Sequence, residues 1–333
     1  MDCFPWDFQG AVRPVIVMRR TLVLMAVALL VGACGADDGA DDGATAAEAD
    51  TSSGDIGQVE QDTTDLGSDS DDGSSQDDAS TEGEISLRFA VVAWEKVFTC
   101  NAPLSGLGNS GGVLSASDMR FYIHDVALHS SSTGDEVPLV LEEDGKWQGS
   151  GVALLDFEDK TGTCTNGTED TRDVVIGTAP ADTYDGVRFT LGVPAELNHL
   201  DVSTALPPLN ISGLYWSWQG GYKYLRLDGE TEDPSFRVHL GATECDIGGP
   251  GEFTCDRENL AEILLTGFNP DENVIVLDLA ELLAGDDVNA NTPDTPAGCM
   301  AGGADPDCYT VFDSLGITPA SPQTAFRVGE LAP

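Results

Sequence analysis

Basic residues are scarce in this chain. Its 333 residues carry 15 Lys and Arg against 58 Asp and Glu, a formal charge of −43. A field of that sign repels nucleic-acid phosphates and anionic membrane surfaces, which excludes nucleic-acid binding as a function. Apolar runs are short as well. The best of them, Leu22 to Val31, stops well short of the roughly 20 residues a bilayer-spanning helix needs. No stretch sustains a 3.6-residue apolar period, which argues against a helical bundle. No internal repeat is present. GxSxG, HExxH, P-loop and GxGxxG signatures are all missing, so the familiar hydrolase, zinc-protease, phosphate-binding and dinucleotide-binding motifs do not apply. There is no CxxC pair, and histidine is limited to 4 residues.

What is present begins at Met18. Residues 18–34 read MRRTLVLMAVALLVGAC. Arg19 and Arg20 form a positive n-region, the apolar run follows, and Val31-Gly32-Ala33-Cys34 closes it as a lipobox. That order predicts a lipoprotein signal peptide over 18–33 and lipidation at Cys34. It places the mature protein in a bacterial cell envelope, lipid-anchored on the periplasmic or outer-membrane side. Met18 is the better start, and residues 1–17 read as a misassigned beginning. Residues 35–84 hold no Lys, Arg or aromatic residue and are filled by Asp, Glu, Gly, Ser, Ala and Thr. A segment of that composition cannot bury enough apolar surface to offset its chain entropy, so a disordered, self-repelling tether is expected.

From residue 85 the pattern changes. Ile85, Leu87, Phe89, Val91 and Ala93 alternate with Ser86, Arg88, Ala90 and Val92, a period of two. Short runs of strand character recur at 119–128, 152–157, 187–193, 214–227, 236–240, 263–268 and 274–279, separated by Gly, Pro, Asn and Asp. Residues 279–284 suit a turn or two of helix. The expectation is a mainly β domain over 85–333, an antiparallel sandwich or barrel with long loops. The segment 98–117 is too long for a hairpin turn and should be a loop pinned by cysteine. Six cysteines lie in this domain: Cys100, Cys164, Cys245, Cys255, Cys299 and Cys308. An even number in an exported chain predicts disulfides rather than thiolate ligands. Short loops favour Cys245–Cys255 and Cys299–Cys308, which leaves Cys100 with Cys164, among the fifteen pairings that six cysteines allow.

The chemistry gathers between Asn198 and His239. Two of the histidines, His199 and His239, lie there, together with Trp216-Ser217-Trp218. His124 sits on an earlier strand, where alternation pairs it with Tyr122 and opposes it to Phe121 and Ile123. His239 likewise opposes Phe236, Val238 and Leu240, so both should stand off the main core, as ligands or as plain surface residues. Imidazoles suit copper, zinc and nickel. His129 precedes a Ser/Thr/Gly turn and reads as solvated. Trp216 and Trp218, two apart, would share one face of a strand. They could form a core pair, stack on carbohydrate, or lie against a cation. Residues 287–291, DVNAN, open like a calcium loop but have Thr292 in place of Gly and Gly298 in place of Glu. Calcium is therefore a weak second metal, and the segment reads as a polar turn.

Nine short motifs carry a resemblance: Asp118-Met-Arg-Phe-Tyr-Ile-His-Asp125, Val152-Ala-Leu-Leu-Asp-Phe-Glu158, Leu191-Gly-Val-Pro194, Asn198-His199, Pro208-Leu-Asn210, Trp216-Ser-Trp-Gln219, Gly221-Tyr-Lys223, His239-Leu-Gly241 and Gly298-Cys-Met300. In number and order they resemble the MbnP-like, WxW-type proteins, the four-Cys family of the metallo-mystery pair system, over about residues 85–318. The resemblance implies an exported protein of copper homeostasis, similar to copper proteins of methane oxidisers in which a Trp is oxidised to kynurenine. It implies a MauG-like dihaem cytochrome c peroxidase as partner, copper as Cu(I) or Cu(II), His124, His199 and His239 as ligands, and Trp216 or Trp218 as the oxidised residue. Six cysteines exceed a four-Cys set, so family pairings transfer only in part.

Three functions follow. The first is a non-catalytic copper-binding protein, itself the substrate of the peroxidase. The second is a metal-dependent envelope enzyme, for which Asp125 or Asp201 would be the general base. The third is a carbohydrate- or surface-binding module using the Trp pair.

Overall fold

The computed structural model describes residues 81–231, 235–249 and 252–331. The expected signal peptide, Cys34 and nearly all of the tether lie outside the described residues. The first strand, Glu82–Ala93, opens slightly before the composition boundary at 85.

Two sheets face each other. The first is built on Glu82–Ala93, which pairs in parallel with Asn273–Asp278 and antiparallel with Val174–Pro180. Phe326–Glu330 extends it beyond Asn273–Asp278. The spine of the second is the 19-residue strand Gly112–Ser130. It pairs antiparallel with Val152–Asp156, Tyr184–Leu191 and Leu225–Glu230, and Phe236–Leu240 continues the sheet past Leu225–Glu230. The alternating apolar residues point inward from both sheets. Phe89 and Phe326 from the first mesh edge-to-face with Phe121 and Phe189 from the second, at centroid separations of 5.4–6.1 Å. Such contacts add about 0.5–1.5 kcal/mol each beyond the area they bury. The strand order of each sheet is open, so the domain is a sandwich and not a barrel.

Three disulfides hold the loops: Cys100–Cys164, Cys245–Cys255 and Cys299–Cys308. This is the pairing that the short loops favour. Other expectations need correction. The 98–117 segment is pinned by Cys100 as expected, but Leu104–Leu107 folds back as a strand on Gly112–Leu114. The 214–227 run is not one strand. It breaks into a 3-10 turn, Ser212–Leu214, and the strands Tyr215–Ser217, Gly221–Tyr222 and Leu225–Glu230. Gly221 has φ +68°, and an added Cβ there would lie 2.5 Å from Asn198, so the chain can reverse only with Gly. The hairpin Thr243–Gly249 with Glu252–Arg257 escaped the sequence reading because its alternating half-buried and exposed positions hold few large apolar residues, which leaves a weak signal.

Candidate metal centre

His124 occupies the spine strand opposite Val152 on one side and Thr190 on the other. Immediately after it the strand bulges: Asp125 takes φ +51°, and the register with Arg188–Thr190 shifts. The half-buried imidazole reaches the carbonyl of Gly192 with Nδ1 at 3.0 Å. A carbonyl only accepts, so Nδ1 carries the proton and Nε2 keeps its lone pair. Burial lowers the pKa of this ring, against the opposing hydrogen bond to Gly192.

His199 ends the short helix Ala195–Asn198. Its Nδ1–H donates to the carbonyl of Trp218 at 3.1 Å. On its other side the Asn198 amide is held by Tyr222, whose N–H donates to Oδ1 at 2.9 Å, so Nδ2 faces His199 Nε2 at 3.3 Å. The tautomer is thus fixed with the lone pair on Nε2. The ring stacks on Phe253 at 4.2 Å and 12°.

His239 was expected off the core but is buried. Register places it opposite Arg226, with Asp228 two pairs further along. Its Nε2 meets Asp228 Oδ1 at 2.6 Å, and its Nδ1 is buried with no hydrogen-bond partner among the described residues. Burial lowers the pKa of His239, opposed by the Asp228 hydrogen bond, and so favours the neutral ring. In that form Nε2–H donates to the carboxylate and Nδ1 is a bare, buried nitrogen. Orientation of an imidazole by a carboxylate on its far nitrogen is a recurring support for metal ligands.

A common arrangement links these three side chains. Each has one ring nitrogen anchored and the other left with its lone pair. His129 differs: it is half-exposed and paired with Asp185 at 2.6 Å, a hydrogen bond that raises its pKa and favours the cation.

Trp218 lies beside His199, and the Trp pair is not a flat platform. Trp216 is half-buried, and an added Cβ on Gly241 would lie 2.6 Å from its ring. Gly241 is two residues beyond His239 on the same chain segment. The strand ends at Ser217, so Trp218 does not share its face. Trp218 is 53% exposed and edges onto Phe253 at 6.3 Å. A cleft of about 430 Å³ is lined by Trp216, Gln219, Ala242, Cys245 and Met300. A smaller cavity of about 120 Å³ is lined by Asn198, His199, Tyr224, Cys255 and Glu258. The Cys245–Cys255 disulfide stands between the two.

Among the described residues, one group of three His, Cys, Asp or Glu could hold a metal ion: His199, Cys245 and Cys255, with ligand atoms all within 4.8 Å of one another. The three imidazoles do not gather into such a group. The Asp287 turn is a local cap, its carboxylate accepting from Asn289 N–H and Ser110 Oγ.

The family model named MbnP matches residues 82–301. The chain belongs to the MbnP family. Its fold is similar to that of MbnP from Methylosinus trichosporium, with a TM-score of 0.69 and 29% sequence identity, over 76% of this chain and 100% of that one. A comparison with curated proteins finds no match. The matched region holds every strand of the second sheet and all of His124, His199, Trp216, Trp218 and His239. Sequence reasoning missed Asp228 and the nearness of Cys245 and Cys255 to His199. Asp228 had a readable signal, since Arg226 and Asp228 alternate on one strand as His239 does on the next. The cysteines had none, because only the packing of two distant loops brings them to His199.

Proposed function

We propose that this is an exported copper-binding lipoprotein of copper homeostasis. Its copper donors are drawn from His124, His199 and His239, which do not form one preformed group here, and they act beside a Trp pair of which one member is oxidised to kynurenine. Copper is cargo here, and the protein is the substrate of the oxidation, with a MauG-like dihaem peroxidase as its catalyst. The observation that carries this reading is the shared state of the three histidines, each with one nitrogen anchored and a lone pair on the other, while His199 is bonded to the backbone of Trp218. Neutral imidazole donors suit copper in either oxidation state. Oxidation to kynurenine would cleave the indole C2–C3 bond and insert two oxygen atoms from two peroxides, which leave as water. Hydrolysis then releases formate and leaves an aryl amine as an additional donor.

The two other readings find less support. Asp125 is paired with Arg188 at 2.8 Å, and Asp201 accepts from Ser203 N–H and Oγ, so both candidate bases are engaged. A sugar platform needs two indoles side by side in solvent, whereas Trp216 is packed against Gly241.

The test is co-expression with the dihaem peroxidase, followed by peptide mass spectrometry and copper titration of the oxidised protein. One of Trp216 and Trp218 should appear as kynurenine. His124→Ala, His199→Ala and His239→Ala should each weaken copper binding at least tenfold, on the order expected for loss of a ligand or its support. His129→Ala should leave it unchanged. Undiminished copper binding by the triple His→Ala protein would sink the proposal.

A further inference from the structure

We propose that His199, Cys245 and Cys255 form a second, redox-gated site for one soft monovalent metal ion. It is closed while the disulfide is intact and opens when a dithiol reduces it. The inference shares His199 with the imidazole site but does not depend on that reading.

Geometry comes first. Cys245 and Cys255 are directly paired across the Thr243–Gly249 and Glu252–Arg257 ladder, with Cα atoms 3.9 Å apart. After reduction the backbone hydrogen bonds of that ladder, rather than the S–S bond, keep the two sulfurs adjacent. His199 Nε2 lies 3.5 Å from Cys255 Sγ. It carries the lone pair, which accepts from Asn198 Nδ2 at 3.3 Å, because Nδ1–H is committed to Trp218 O. The ring also stacks on Phe253, two residues from Cys255 on the same strand, so hairpin and imidazole are held as one unit. Three donors within 4.8 Å are therefore positioned before any metal arrives.

The chemistry explains the gate. A disulfide offers no thiolate, and the thiolate is the metal ligand. Two thiolates and an imidazole, with no carboxylate among the three, select a soft cation such as Cu(I) over hard oxygen-seeking ions. Thiol–disulfide exchange with an external dithiol transfers two electrons and two protons, leaving two cysteine thiols here and a disulfide on the reductant. Binding of Cu(I) then displaces those two protons, and copper keeps its oxidation state.

Access distinguishes this disulfide from the others. Cys245 and Cys255 are both half-exposed, and each lines an opening, the Trp216 cleft or the His199 cavity. Cys100, Cys164, Cys299 and Cys308 are buried, each 2% exposed or less. A mild reductant should reach the hairpin disulfide first.

The experiment uses the mature protein, oxidised or treated anaerobically with a limiting water-soluble phosphine. Alkylation and peptide mapping identify the opened cysteines. Each sample is titrated with Cu(I) against a chromogenic chelator. Because one Nε2 lone pair serves one ion, the gain is read in His124→Ala/His239→Ala protein, where reduction should open Cys245 and Cys255 alone and add one equivalent of bound Cu(I), with thiolate-to-copper absorption in the near ultraviolet. Wild-type protein alkylated at those two cysteines, and folded Cys245→Ser/Cys255→Ser protein, should gain none. His199→Ala should keep the added stoichiometry and lose at least tenfold in affinity. Wild-type protein should show the same thiolate-to-copper absorption on reduction. No gain on reduction, an equal gain after alkylation, or opening of a different disulfide first would overturn the proposal. Failure of the oxidised protein to bind copper would count against the imidazole site alone.

Discussion

Asp228 and Asp156 are both buried, yet their surroundings drive them in opposite directions. Asp228 ends a cross-strand chain in which Arg120 contacts Asp118, Asp118 contacts Arg226, and Arg226 contacts Asp228, at 2.5–3.1 Å. Burial pushes the Asp228 pKa up, but the hydrogen bond from His239 and the charge of Arg226 outweigh it and hold the carboxyl well below the usual range. It stays ionised and keeps His239 in the tautomer with a free Nδ1. Asp156 has burial as its largest influence too. Arg120 opposes it only in part, and Glu158 and Asp118 add repulsion, so its pKa rises from 3.8 to about 7. Between those values the folded state binds a proton that the unfolded state does not, so this residue's contribution to stability falls as pH rises through that window. Asp156→Asn should therefore stabilise the domain more at pH 8 than at pH 5, by a difference of about 1–3 kcal/mol. Thermal unfolding at the two pH values measures it. An equal shift at both would show that Asp156 is already ionised in the fold at pH 5.

At the level of elements, the three disulfides do different work. Cys100–Cys164 closes a separation of 64 residues and ties the segment after the first strand to the loop after Val152–Asp156. Cys245–Cys255 closes only 10 residues, on strands already joined by a ladder. On the chain-entropy estimate the first should contribute about 4 kcal/mol and the second about 3 or less. Replacing each pair by Ser and comparing thermal midpoints should give the larger loss for Cys100–Cys164. The reverse order would mean that the hairpin relies on its cross-link to stay folded. The same ranking suits the hairpin to a reversible role, since the sandwich does not need that bond to close.

For the whole molecule, the formal charge of −43 belongs disproportionately to the segment before the domain, where residues 35–84 contain no basic residue. The lipobox reading predicts that Cys34→Ser abolishes lipidation and releases the protein from the membrane fraction. Fractionation with metabolic lipid labelling is the check, and unchanged membrane association would count against an anchor at this cysteine.

The β class, the even set of disulfides, the WxW segment and the family were all legible in the sequence, because alternation, cysteine number and short motifs are local properties of the chain. Phe89 and Phe121 could be assigned to inward faces from period-two spacing alone. The placement of His239 could not: its burial and its bond to Asp228 depend on the neighbouring strand and its register. Nor could the meeting of His199 with Cys255, separated by 56 residues, or the division of the Trp pair between a cleft and a solvent-facing turn. These depend on how the turn at Gly221 and the polar hairpin pack against the sheet. Such packing is set by side chains far apart in the chain, and no local period encodes it.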